Sequence, residues 1–408
     1  LSISRFQRLG SCVAARRVQG EKSFFGSFFS KKELLALLPL AFVRPVVLQF
    51  CAECLHKQSS FPGGKIMSTT RRAVLASVLA APALITARPS HAAGKVLKIS
   101  HQFPGGTVNE GDFRDRLVQK FAAAVKAKTN GELDFEIYPN SSLMKTVAQF
   151  SALRRGALDL TLYPLAYAGG EVPEVNIGLM PCLVSTYAQG LAWKTSPIGR
   201  ALTDLLEKRG VKIITWIWQS GGVASRAGAV IAPDDVKGLK IRGGSREMDL
   251  MLKQAGGIIS SVPSNEVYAA MQTGSLDAAV TSSTSLISFR LQEISKAVTS
   301  GIAGSFWFML EPLLMSKAIF DGLTPGQQAA VLEVGTSLEG FALEAARADD
   351  RDLSSIFAKS GVLTKEFDAA ALEKWKLVAR DTAWKDFAAR NAACAELLAM
   401  AEKVPVAA

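Results

Sequence analysis

The sequence predicts an α/β protein of two lobes with a helical C-terminus. Three observations carry this reading. Short apolar strands alternate with amphipathic helices through residues 96–218, the same alternation returns through residues 236–283, and beyond Pro325 the chain keeps helical spacing with few breakers. A local echo links the two halves: Arg155-Gly156-Ala157-Leu158-Asp159 and Thr273-Gly274-Ser275-Leu276-Asp277 each end a helix at glycine, turn, and launch an apolar strand. Two related α/β segments joined near Gly221 and Gly222 imply a cleft between lobes, with a hinge that lets it close around a ligand.

The elements follow in order. Residues 96–100 form a strand that ends in the loop His101-Gln102-Phe103-Pro104-Gly105-Gly106. Phe113, Leu117, Phe121, Ala124 and Val125 then repeat at helical spacing, and Asn130-Gly131 ends that helix with residues that tolerate a left-handed turn. Leu133, Phe135 and Ile137 alternate with Asp134 and Glu136, the period of a half-exposed strand. A helix is expected over 146–155, stopped at Gly156, with a strand over 158–162. Residues 211–218 are nearly all apolar, as in a strand covered on both faces, and the succession points to a largely parallel sheet. In the second half, residues 236–242 lead into a strand ending at Gly243-Gly244, a helix runs over 246–255, and 258–262 forms another strand. Val331, Val334, Leu338, Phe341 and Ala345 mark helices over 327–359, and residues 375–408 read as a further helical segment that frays at Val404-Pro405-Val406.

Charge is divided unevenly along the chain. Residues 1–92 carry 13 Lys and Arg against 3 Asp and Glu, whereas residues 93–408 carry 34 against 33. The basic character therefore belongs to a leader, which removes nucleic acid as an expected partner. Within it, Thr70-Arg71-Arg72 is a positive start, 73–85 is an apolar run too short to span a bilayer, and Ser90-His91-Ala92 places small residues at a cleavage site. Residues 67–92 thus read as an export signal, by the general or the twin-arginine route, and the protein as periplasmic. Residues 1–66, before Met67, read as an over-long extension; its Cys51-x-x-Cys54 lacks a second ligand pair.

Beyond Ala92 the only histidine is His101 and the only cysteines are Cys182 and Cys394. That removes most metal-hydrolase and Ser-His-Asp chemistries, and no metal or other cofactor is expected. Ser142-Leu143-Met144-Lys145 matches the Ser-x-x-Lys element of acyl-transfer enzymes, but neither Ser-Asp-Asn nor Lys-Thr-Gly accompanies it. An acyl-transfer enzyme using Ser142 and Lys145 is the remaining enzymatic alternative.

Asp235-Val236-Lys237-Gly238-Leu239-Lys240-Ile241-Arg242, followed by Ser264-Asn265-Glu266-Val267-Tyr268-Ala269-Ala270-Met271-Gln272-Thr273-Gly274-Ser275-Leu276-Asp277, resembles the signature of TRAP-transporter solute receptors of the DctP type. The resemblance runs from about Val96 through Gly322-Leu323-Thr324-Pro325 into the C-terminus. It implies a periplasmic-binding-protein-like fold: residues 93–219 as lobe 1, completed by 306–345, residues 220–305 as lobe 2, and bracing helices over 346–408. It also implies a receptor that captures an organic acid and delivers it to the permease subunits of a TRAP transporter in the inner membrane. A binding protein of an ABC importer or of a sensory system would share the fold and differ in its membrane partner. A monomer is expected.

Arg242 aligns with the family's carboxylate-gripping arginine, whose planar fork meets both carboxylate oxygens and stays charged at any relevant pH. Further site candidates are Gln219 and Ser220 at the end of the apolar strand, Thr281 and Ser282 after Ala278-Ala279-Val280, and the aromatics Phe103, Tyr163, Trp218 and Trp307 as pocket walls. Ser305-Phe306-Trp307-Phe308-Met309-Leu310-Glu311-Pro312 departs from the Trp-Glu order of the keto-acid-binding branch, so that branch's ligand does not transfer. One cation among these aromatic candidates points to a monocarboxylate with an apolar or aromatic body.

Overall fold

The computed structural model describes residues 94–405. The expected leader at 67–92, the stretch before Met67 with its Cys51-x-x-Cys54, and residues 406–408 lie outside the described residues. Within them the strands are β1 (Lys95–Ser100), β2 (Leu133–Tyr138), β3 (Leu160–Leu162), β4 (Val211–Thr215), β5 (Trp218–Ser225) and β6 (Lys240–Arg242). They continue with β7 (Ile258–Ile259), β8 (Ala278–Ser282), β9 (Ala297–Ser300), β10 (Phe308–Leu310), β11 (Leu313–Ser316) and β12 (Leu363–Glu366). One sheet has the order β2-β1-β3-β11-β4, and the other β12-β9-β5-β8-β6-β7 with β10 paired to β5.

The first sheet is mixed rather than largely parallel. β1 lies parallel to β2 and β3, but β11 inserts antiparallel to both β3 and β4. The reason is non-local: β11 is the chain returning from the second sheet, and no local crossover helix dictates its direction. The apolar run at 211–218 is likewise two strands. It breaks at Trp216-Ile217 into β4 of the first sheet and β5 of the second, so it is buried on both faces because it leaves one core and enters another. The return path, β10 then β11, pairs with β5 then β4 and breaks at Glu311-Pro312. Two antiparallel crossings thus join the lobes.

The helices obey their local signals. Asp112 caps Phe113–Lys128 by accepting from Arg114 N, and the helix gives way to Asn130 and Gly131, both at positive φ. The expected helix at 146–155 is a 3₁₀ turn, Thr146–Ala148, running into the α-helix Gln149–Arg154, with Gly156 at φ +69°. Ser245 caps Arg246–Gln254. The strand expected over 258–262 shortens to β7, because the chain turns toward Pro263 to begin the next helical turn. Thr324, Pro325 and Gln327 build a capping box for Pro325–Ser337, and after Leu338 a second helix runs Glu339–Lys359. Strands β9 and β12, which no clear alternation announces, complete the second sheet. Leu97, Ile99, Phe121, Leu160 and Leu313 form part of one core beside the first sheet, and Ala224, Met271, Leu286 and Phe357 part of another beside the second.

Candidate functional site

Arg242 is the last residue of β6 and is 1% exposed. Its Nε donates to Val262 O at 2.9 Å, Nη1 to Val280 O at 2.8 Å, and Nη2 to Tyr167 Oη at 2.6 Å. Val262 and Val280 belong to the second lobe, whereas Tyr167 comes from the short turn Leu165–Ala168 that follows β3 of the first. The guanidinium therefore sits where the lobes meet. Each Nη keeps one further hydrogen. Among the described residues no carboxylate lies within ion-pair distance of Arg242; Asp249, the acid that senses its field, is engaged by Gly243 N at 3.0 Å and Ser261 Oγ at 2.6 Å. Burial nevertheless holds the Asp249 carboxyl above its ordinary range. Gly244, at φ +95°, is required here: a Cβ would stand 2.8 Å from Arg242 Nη1.

A cavity of about 480 Å³ opens beside this group. Tyr167, Gly244 and Val262 each border both the cavity and the arginine, and Val147, Ala166 and Ile259 extend the wall as apolar surface. Tyr167 Oη also accepts from Ser264 N at 3.0 Å, so it accepts twice and its own hydrogen remains to be donated. Tyr163 stands edge-on to Tyr167 with ring centroids 6.0 Å apart, and its buried Oη has no partner among the described residues. Burial pushes the Tyr163 hydroxyl well above its ordinary pKa. Trp307 donates from Nε1 to Gly243 O at 3.2 Å, one residue from Arg242.

A second buried arginine, Arg114, was not a sequence candidate. It is the second residue of the helix Phe113–Lys128, is fully buried, and lies over the Phe103 ring at 3.7 Å. Asp112 takes both Nε at 2.9 Å and Nη2 at 2.6 Å, and Glu311 Oε2 lies 3.3 Å from Nη1. Gln219 donates from Nε2 to the same Glu311 oxygen. Burial pushes the Glu311 carboxyl up to about 7, against the pull of Arg114. Ser282 Oγ approaches Arg114 Nη1 at 3.4 Å and Ser285 Oγ at 3.0 Å.

The expected site residues thus divide. Tyr163, against Tyr167, and Trp307, bonded to Gly243 O, lie on the side of Arg242, while Phe103, Gln219 and Ser282 gather around Arg114 and its partner Glu311. Ser220 is held by a backbone bond to Tyr187 Oη at 3.2 Å, and Thr281 lies buried opposite Gly222 in the second sheet. Trp218 fills core, edge-on to Trp193 at 5.1 Å and against Gly190. Arg226 bonds Asp277 O near the opposite end of β8 from Ser282. His101 accepts from Phe103 N at Nδ1 and sets Nε2 3.1 Å from Asp115 Oδ1, a structural placement. Although burial opposes it, bonds from His101, Gly106 N and Gln119 hold Asp115 below its ordinary pKa. Ser142 and Lys145 are exposed, and Cys182 and Cys394 are free thiols. Tyr167 and Arg114 escaped sequence reasoning. The only signal for Arg114 is its place two residues after Asp112 at a helix start.

Two α/β lobes joined by paired crossing strands, with a buried cation at their junction, define the class of two-lobed solute-binding proteins. The chain belongs to the bacterial extracellular solute-binding protein family 7, DctP, whose profile it matches over residues 105–391. It is 59% identical over 307 residues to a solute-binding protein of Albidiferax ferrireducens, covering 75% of this chain and 91% of that one. The crystal structure of a TRAP periplasmic solute binding protein from Rhodoferax ferrireducens with bound malonate superposes with a TM-score of 0.75 at 59% identity, covering 76% of this chain and 98% of that chain. The C4-dicarboxylate-binding periplasmic protein DctP of Rhodobacter capsulatus is 27% identical over 326 residues, covering 78% and 91%.

Proposed function

We propose that the protein is a periplasmic receptor that grips an organic acid by its carboxylate through Arg242 and delivers it to the membrane subunits of a TRAP transporter. One observation carries the site: Arg242 is buried without a counter-ion among the described residues. A buried guanidinium cannot shed its proton, and a buried charge left unpaired costs several kcal/mol. A carboxylate meeting the two remaining Nη hydrogens, with a third bond from Tyr167 Oη, relieves that cost. Because the partners of Arg242 come from both lobes, filling this place draws the cleft shut. The same reading takes 93–219 with 306–345 as one lobe, 220–305 as the other, 346–408 as bracing helices, the leader at 67–92 as removed on export, and the receptor as a monomer.

Calorimetry with a panel of organic acids tests the site. Short diacids such as malonate, the acid held by the relative from Rhodoferax ferrireducens, stand beside branched and aromatic monocarboxylates, the class expected from a single cation among aromatic candidates. Arg242→Ala should weaken the best ligand about 10- to 150-fold, the worth of a charge-assisted bond of roughly 1.5–3 kcal/mol. Wild-type affinity in that variant would remove Arg242 from the site. Mass spectrometry of the exported protein checks cleavage after Ala92.

A further inference from the structure

Arg114 differs from every other buried cation described above in the number of separate elements it ties together. Asp112, at the start of its own helix, and Phe103, in the loop after β1, hold it within the first lobe. Ser282, the last residue of β8, and Ser285 and Ser288 of the helix Ser283–Ser288 meet it from the second, at 3.4, 3.0 and 3.4 Å. Glu311 joins from the break between the returning strands β10 and β11. The guanidinium is thus bidentate toward its own lobe and bonded to hydroxyls of the other. That asymmetry suits reversible motion. When the lobes part, the strong pair with Asp112 stays whole, and only bonds to neutral hydroxyls are exchanged for water.

The placement also couples Arg114 to Arg242. Arg242 Nη1 is held by Val280 O, and Ser282 lies two residues further along the same strand, β8. Seating Arg114 on Ser282 and Ser285 therefore fixes the end of the strand that orients the carboxylate socket. From the other side, Thr284 donates to Asp349 Oδ2 at 2.6 Å, so the serine-bearing helix is braced by Glu339–Lys359.

We propose that Arg114 is the latch of the cleft: anchored in the first lobe by Asp112 and Phe103, it seats on Ser282, Ser285 and Ser288 of the second when the lobes close, and so retains the ligand. The proposal rests on the reading of Arg242 as the carboxylate socket and assigns Arg114 a positioning role with no ligand contact. Its test is the double variant Ser285→Ala with Ser288→Ala, which spares both the Asp112 pair and the Ser282 helix cap. Small-angle scattering should show a larger ligand-free radius of gyration than wild type. Stopped-flow measurements with malonate should show dissociation faster by about tenfold and association changed by less than about twofold, because a latch formed after encounter acts on the off-rate. Arg114→Lys, which keeps the charge without the fork, should behave likewise. An unchanged radius together with an unchanged dissociation rate overturns the latch, whatever happens to thermal stability. Arg242→Ala, by contrast, should weaken malonate binding about 10- to 150-fold while keeping the ligand-free radius, so failure of the socket is read separately. If the wild type binds no malonate, the ligand-free radius alone decides.

Discussion

Two buried arginines meet the cleft, and what separates them is who balances their charge. Arg114 is paired with Asp112 and Glu311 and solvated by serines. Arg242 is held by two carbonyls and a phenol, which orient it and neutralise nothing. A cation whose counter-charge is built in belongs to the architecture, whereas one that lacks it is poised for an anion from outside. Burial alone does not distinguish the two.

The sharpest way to break this contrast is to remove each charge with a similar apolar volume. Arg114→Met strands Asp112 and Glu311 in a dry site and should cost about 3–5 kcal/mol, lowering the melting temperature by about 10 °C. Arg242→Met should leave the ligand-free melting temperature within about 3 °C, since the lost orienting bonds are offset by removal of an unpaired charge. It should instead cut ligand stabilisation by about half or more, from the roughly 2.7 kcal/mol that wild type gains at a hundred times its dissociation constant. Equal losses of ligand-free stability in calorimetric scans of the two variants would erase the distinction.

The pH dependence of stability sharpens it further. Glu311 is raised from an ordinary carboxyl value to about 7 by burial, with Asp112 adding repulsion and Arg114 and Gln219 opposing. Asp349, on the helix packed behind the cluster, rises to about 6, also through burial. A carboxyl whose folded pKa is raised binds its proton more tightly when folded. Stability should therefore fall as pH rises from about 4.5 to about 7 and level off above. Glu311→Gln leaves Arg114 balanced by Asp112 alone and should flatten the upper part of that slope. A melting-temperature profile unchanged by the substitution would place the Glu311 titration elsewhere.

Much of this arrangement was legible before the structure, and the parts that were not have a physical reason. Arg242 stood out because a motif of adjacent residues frames it, and Gly156 and Gly274, read as glycines that end helices before a turn, both take positive φ. The strand alternation correctly gave two α/β lobes. The direction of β11 and the fate of the 211–218 run were hidden, because both depend on pairing between crossings almost a hundred residues apart. Arg114 was hidden for the same reason: its partners Ser282, Ser285 and Glu311 lie 168, 171 and 197 residues away, and nothing local distinguishes it from a surface arginine at a helix start.

Backbone strain offers a finer probe. Gly244 and Gly238 both have positive φ, at +95° and +74°, but only at Gly244 would a Cβ meet Arg242; at Gly238 nothing lies within 4 Å. Alanine at either position should cost about 1–3 kcal/mol of stability from the strained conformation. Only Gly244→Ala should also weaken acid binding, by displacing Nη1. Matching affinities in the two variants would show that the socket tolerates the shift.

The smallest effects separate the two tyrosines. Tyr167→Phe removes the oxygen that accepts from Arg242 Nη2 and Ser264 N, leaving two donors short of a partner. It should weaken acid binding by about five- to tenfold, the worth of roughly 1 kcal/mol. Tyr163→Phe deletes a buried hydroxyl that no described residue satisfies, so the ligand-free protein should be unchanged or slightly more stable. Affinity then tells what that hydroxyl faces. A loss comparable to that of Tyr167→Phe would place Tyr163 on the ligand beside Arg242. An unchanged affinity would confine recognition to the arginine and Tyr167, and leave Tyr163 as the aromatic wall behind them.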